Sequence, residues 1–166
     1  MRFFYDTEFI EDGSTIELVS IGVVDASGRE FYAVSTDFSP ERAGRWVREH
    51  VLPQLPPPAD PAWRSRERIR ADLLEFFGKP ADGIELWAWL AAYDHIALAQ
   101  LWGAMPAMPR QLPRFTRELR QRWEDVGKPK LPTAPANAHD ALADARHNLR
   151  RWQVIEEVRR TRGFAH

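Results

Sequence analysis

The chain has no cysteine, which excludes a disulfide framework and any thiolate metal centre. It has no apolar run long enough to span a bilayer and no internal repeat. The N-terminus enters an aromatic, strand-forming segment at once, without the pattern of a signal peptide. A cytoplasmic protein with no membrane contact is therefore expected. At 166 residues and 44% hydrophobic content the chain can form one well-packed domain, and no boundary marks a second. A single domain over residues 1–166 is expected.

The net charge of −1 conceals an asymmetry. Residues 1–109 hold 10 basic and 17 acidic side chains, whereas residues 110–166 hold 13 basic and 7 acidic ones. Carboxylates for metals beside a basic surface for phosphates would suit a nucleic-acid enzyme. Arg-rich helix faces that are merely solvated would give the same count.

The pattern of elements predicts an α/β fold. Arg2-Phe3-Phe4-Tyr5-Asp6-Thr7-Glu8-Phe9-Ile10 reads as a buried strand. Turns at Glu11–Ser14 and Ala26–Arg29 separate it from strands at Ile16–Asp25 and Glu30–Ser35, giving an antiparallel meander. A helix is expected from Pro40 to about Leu55, with Ser39 as cap, and a second from about Trp63 to Phe77, ended by Gly78. Ile84 to Leu90 reads as a buried strand leading into a helix that Gly103 closes. A short strand near Leu112–Phe115, a helix capped by Thr116, and a final helix running to about Arg160, with Asn137 as a candidate cap, complete the pass. The Pro-rich stretch Lys128–Asn137 is a candidate substrate-facing loop.

Asp6 and Glu8 share one face of the first strand by period-two geometry. Two buried carboxylates that close repel each other, and a hard divalent cation between them removes the cost. Asp94 falls where a strand hands over to a helix, a position that holds ligands in α/β sheets but also favours a capping Asp. His139 and Asp144 lie about 140° apart on a regular helix, so they converge only if His139 sits on the entry loop or first turn. Asp140 is a rival ligand there, and Asp140 with Asp144 also reads as an acidic edge favoured near a helix N-terminus. Phe9 is a candidate for stacking on a terminal base, with core packing as the alternative. His50, His95, His147 and His166 show no partner pattern, and the tryptophans read mostly as core.

Asp-x-Glu on the first strand, Asp after a later strand, and His-x4-Asp opening the last helix resemble, in that order, the DEDDh branch of 3′→5′ exonucleases, with their RNase H-like fold. The resemblance covers Phe3 to about Trp152. It implies that Asp6, Glu8, Asp94 and Asp144 bind two metal ions, Mg²⁺ with Mn²⁺ as an alternative, and that His139 is the general base. Many proofreading exonucleases and oligoribonucleases carry Thr-Thr-Gly after the first motif and His-Asn before the second, where this chain reads Phe9-Ile10-Glu11 and Trp89-Leu90-Ala91-Ala92-Tyr93. Glu8-Phe9, Ala92-Tyr93-Asp94-His95 and Gln100-Leu101-Trp102-Gly103 look more like compact stand-alone bacterial exoribonucleases. The partner this implies is RNA with a single-stranded 3′ end, and since proteins of this type are often dimers, the resemblance also implies a homodimer or higher homo-oligomer. The rival expectations are an exodeoxyribonuclease using the same residues and a non-catalytic nucleic-acid-binding domain.

Overall fold

A computed structural model describes residues 1–163. Its centre is a mixed six-stranded sheet in the order β4-β3-β2-β1-β5-β6. The strands are β1 (Arg2–Glu11), β2 (Ile16–Asp25), β3 (Glu30–Ser35), β4 (Trp63–Arg64), β5 (Glu85–Ala88) and β6 (Arg117–Glu118). The first three form the expected antiparallel meander, and β4, β5 and β6 add in parallel. Five α-helices accompany the sheet: α1 (Arg45–His50), α2 (Arg66–Phe77), α3 (Ala92–Ala99), α4 (Leu119–Asp125) and α5 (Ala141–Thr161). None is long and apolar enough to cross a membrane.

Alternation along β1 sends its side chains into two layers. Phe3 and Tyr5 pack with Ile69, Leu73 and Phe77 of α2 and with Leu98 of α3. Phe4 faces the other way, toward Trp152 of α5 and Leu119 of α4. Asp6 and Glu8 share the parity of Phe4 and so face α5. The helix comes unusually close there, because Gly22 of β2, the partner of Asp6, has no side chain. A Cβ at Gly22 would lie 2.4 Å from backbone atoms of Ala141 and Leu142. Buried Ala141, Ala143 and Ala145 complete this close seat for the start of α5.

Several expected boundaries differ. The helix expected over 40–55 is broken into a 3₁₀ turn (Pro40–Arg42), α1 and a second 3₁₀ turn (Leu52–Gln54). Extended Ala43 and Gly44 separate the first two pieces, and Pro53, with no N–H, sits in the last. Trp63 lies in β4 rather than α2, since its backbone pairs with Val34 and its indole donates to the Pro56 and Pro57 carbonyls. The expected strand at 112–115 lies instead at Arg117–Glu118, and β5 is shorter than the expected 84–90. Thr116 does not cap α4, because its hydroxyl meets Tyr5 Oη at 2.6 Å and His95 Nδ1 at 3.1 Å, and Glu118 caps instead. Asp140, not Asn137, caps α5 by accepting from the Ala143 N–H at 2.8 Å.

Candidate active site

The short β5 determines where the cavity opens. It pairs with β1 only at Arg2, Phe3 and Phe4, so beyond Phe4 that edge of β1 is uncovered. The Thr7 N–H donates there to Asp94 Oδ1 at 2.8 Å, and the Thr7 hydroxyl donates to the same oxygen at 2.7 Å. Asp94 stands in the first turn of α3, whose N-cap is Ala91, so the capping reading of Asp94 does not hold. Past Glu8 the register slips, with Glu8 opposite Ser20 but Phe9 opposite Leu18, leaving Val19 as an extra residue. A cavity of about 680 Å³ wraps the uncovered edge, which explains why side chains from both faces of β1 line it: Asp6 and Glu8, Thr7 and Phe9.

α5 delivers the second set. His139 precedes the helix with a φ of 72°, a left-handed conformation that turns the chain just before the Asp140 cap. This is the entry-loop placement that convergence required. The His139 N–H donates to Asp144 Oδ2 at 2.7 Å. Donor atoms of Glu8, His139 and Asp144 lie within 4.8 Å of one another, the one such trio among the described residues. Asp140 is occupied as a cap and lines no part of the cavity.

Electrostatics bind these groups into one unit. Burial, then the charges of Asp94, Glu8 and Asp144, hold the Asp6 carboxyl well above the ordinary carboxylate range, with Arg151 pulling the other way. Burial and the charge of Asp144 push Glu8 up to about 8. Burial raises Asp94 to about 6 despite the two Thr7 hydrogen bonds, and burial also raises Asp144. Carboxylates so placed ionise together only beside cations, and oxygen donors suit a hard divalent ion.

The cavity wall is aromatic. Phe9 is half-buried and stacked on Tyr93 at 5.5 Å, with 5° between the rings. Trp46 of α1, half exposed, meets the His139 ring edge-on at 4.7 Å, and His50 stacks on the Trp46 ring at 5.0 Å. Leu90 lines the same cavity with a φ of 60°. Trp89, read as core, also lines it, under the guanidinium of Arg151 at 4.4 Å. Buried Asn148 donates to the Tyr5 carbonyl at 3.0 Å and fixes β1 one residue before Asp6. The expected substrate-facing loop 128–137 contributes no lining residue, and its start is tied down by the Trp123 indole donating to the Pro129 carbonyl at 2.7 Å. His95 and His147 lie outside the cavity, and His166 lies outside the described residues.

Sequence reasoning missed Trp46, Thr7, Gly22 and Asn148. Only Thr7 had an available signal, as the residue between the paired acids; the others lie far along the chain and are joined to the site by folding alone.

Comparison with known proteins identifies the family. The model of the 3'-5' exoribonuclease Rv2179c-like domain matches residues 1–156. The chain belongs to that family. Two Mycobacterium tuberculosis relatives, 3'-5' exoribonuclease Rv2179c of strain H37Rv and 3'-5' exoribonuclease MT2234.1 of strain CDC 1551, are each 67% identical over 156 residues, covering 93% of both chains. The matched span of this exoribonuclease-family chain contains every residue that lines the cavity.

Proposed function

We propose that this protein is a metal-dependent 3′→5′ exoribonuclease acting on single-stranded RNA 3′ ends, built as a single domain of RNase H-like topology. One observation carries the reading: four carboxylates and His139 converge on one cavity at the uncovered edge of a central strand. Membership of an exoribonuclease family and the names of the two mycobacterial relatives support the substrate and polarity.

Asp6, Glu8, Asp94 and Asp144 would hold two Mg²⁺ ions, with Mn²⁺ as an alternative. When bound, the ions neutralise the phosphodiester, make water a nucleophile near neutral pH and stabilise the leaving 3′-oxygen. Asp6, whose carboxyl feels the charges of Asp94, Glu8 and Asp144, would serve both ions. Asp94, held by Thr7, serves the leaving-group side, and Glu8 with Asp144 serves the attacking side, next to His139. His139 takes the water's proton, a role suited to an imidazole. Its ring is steadied by Trp46 and its backbone by Asp144. The Phe9–Tyr93 stack supplies an apolar surface for the terminal base.

A time course on 5′-labelled RNA with a single-stranded 3′ overhang, run with Mg²⁺ and with EDTA beside DNA of the same sequence, tests the proposal. The expected result is a metal-dependent ladder shortening from the 3′ end on RNA and weak on DNA. Preference for DNA would overturn the RNA assignment, and shortening in EDTA would overturn the metal assignment.

A further inference from the structure

The catalytic cavity gathers Asp6, Glu8, Asp94 and Asp144, so the rest of a polyanionic substrate must leave it over a surface of opposite charge. Two exits differ in charge. Around α1 the arginines are interleaved with acids: Arg42 meets Asp12 at 3.0 Å and Arg45 meets Glu49 at 2.7 Å, and Arg48 donates to the Glu41 carbonyl at 2.7 Å. On the opposite side lies the segment 110–122, which carries Arg110, Arg114, Arg117, Arg120 and Arg122 with Glu118 as its one acid.

Glu118 does not compensate that charge outward, because its carboxylate is turned into the fold. It accepts from the backbone N–H groups of Leu90 at 2.9 Å, Ala91 at 2.8 Å and Arg120 at 2.9 Å. Leu90 lines the catalytic cavity, so these bonds join the segment directly to the cavity mouth. Two further depressions lie along this segment, the first beginning at Ala91, next in the chain to Leu90. The first, of about 310 Å³, is lined by Ala91, Ala92, His95, Arg114 and Phe115 among others. The second, also about 310 Å³, shares Phe115 and Glu118 and adds Arg117 and Arg122. Phe115 is 57% exposed, an uncommon cost for a phenylalanine, and the Arg117 guanidinium lies over its ring at 5.7 Å.

The free charge here is substantial. Arg117 and Arg120 are about half exposed and pair with Glu85 and Glu124 at 3.8 and 3.5 Å, longer contacts than those around α1. Exposed pairs of that kind hold their cations weakly. Arg114 donates only to the Met105 and Met108 carbonyls and meets no carboxylate among the described residues. Interleaved arginines and an exposed ring, fixed to a sheet edge, are what single-stranded nucleic acid requires: cations for phosphates and a π-face for bases.

We propose that residues 110–122 form the track for RNA upstream of the scissile bond, with Arg117 and Arg120 on phosphates and Phe115 under a base. This rests on the exoribonuclease reading of the cavity, but the two can fail separately. A trinucleotide reaches only the cavity, whereas an RNA of about twelve nucleotides covers both.

The test combines Arg117→Gln with Arg120→Gln, and separately makes Phe115→Ala, comparing both substrates at fixed Mg²⁺. For the longer RNA, KM should rise about tenfold in the double variant with kcat unchanged, and trinucleotide turnover should stay at the parent level. The log–log salt dependence of affinity should become shallower by about 1.4, since each phosphate contact on a single strand contributes about 0.7. Binding of the longer RNA in EDTA, read by fluorescence anisotropy, should weaken in parallel and does not depend on turnover. Equal losses on both substrates would overturn the track, as would an unchanged KM and salt slope on the longer RNA. Absence of turnover by the parent on either substrate, with the anisotropy difference retained, would instead overturn the exoribonuclease reading alone.

Discussion

The two halves of β1 are built from one continuous strand and behave oppositely. Arg2 to Phe4 is paired on both sides, and Phe3, Phe4 and Tyr5 are almost wholly buried among apolar neighbours. Asp6 to Phe9 is paired on β2 alone, and its residues face a cavity from both sides of the sheet. The difference comes from β5, which ends at Ala88 and leaves the rest of the β1 edge to Asp94. A strand can therefore pack an apolar core at one end and present acids to a cavity at the other, divided by where its neighbour stops.

The contrast is broken most forcefully by one substitution in each half. Asp6→Asn should lower RNA turnover by about a thousandfold or more, with thermal stability of the metal-free protein equal to or above the parent. Phe4→Ala should lose about 3–5 kcal/mol of stability in denaturant unfolding, while the molecules still folded keep their activity. The reverse outcome, stability loss at Asp6 and activity loss at Phe4, would erase the division.

Gly22→Ala tests how the second half is closed. The added methyl has no room beside Ala141, so α5 must shift, at a cost of about 1–3 kcal/mol. Because α5 also carries His139 and Asp144 into place, kcat should fall more than tenfold, by order of magnitude. Denaturant unfolding and steady-state kinetics measured on one preparation check both effects.

The pH dependence sharpens the comparison without mutation. Glu8 is raised to about 8, so its protonated form stabilises the metal-free fold at low pH, and that contribution disappears as pH rises through about 8. Mg²⁺ favours the ionised carboxylates. The gain in Tm on adding Mg²⁺ should therefore grow between about pH 5 and about pH 8, and Asp6→Asn should flatten the trend. Thr7→Val is the smallest change, removing one of the two Thr7 bonds to Asp94 and leaving the backbone one. It should cost about 1 kcal/mol and lower kcat by less than about tenfold.

Much of the candidate site was legible because its residues announce themselves by local pattern. Asp6 and Glu8 are set by strand alternation, and Asp144 by the start of a long helix. His139 could be placed only conditionally, since its left-handed φ is a property of the loop rather than of any local pattern. The contacts that assemble the candidate site lie far apart in sequence. Trp46 meets His139 from α1, a short helix left where Gly44 and Pro53 interrupt the one expected from Pro40 to about Leu55. The uncovered edge depends on β5 stopping at Ala88, whereas the apolar run Ile84–Leu90 reads as strand throughout. Asp140 and Asn137 are equally good caps by residue type, and only packing selects Asp140.

Metal stoichiometry tests the central claim most directly. Calorimetric titration of the metal-free protein with Mn²⁺ should give two ions per chain, and Asp6→Asn, which removes the shared ligand, should leave one or none. Equal stoichiometry in parent and variant, or no binding by the parent, would contradict the assignment of the open half of β1 as the metal-holding edge.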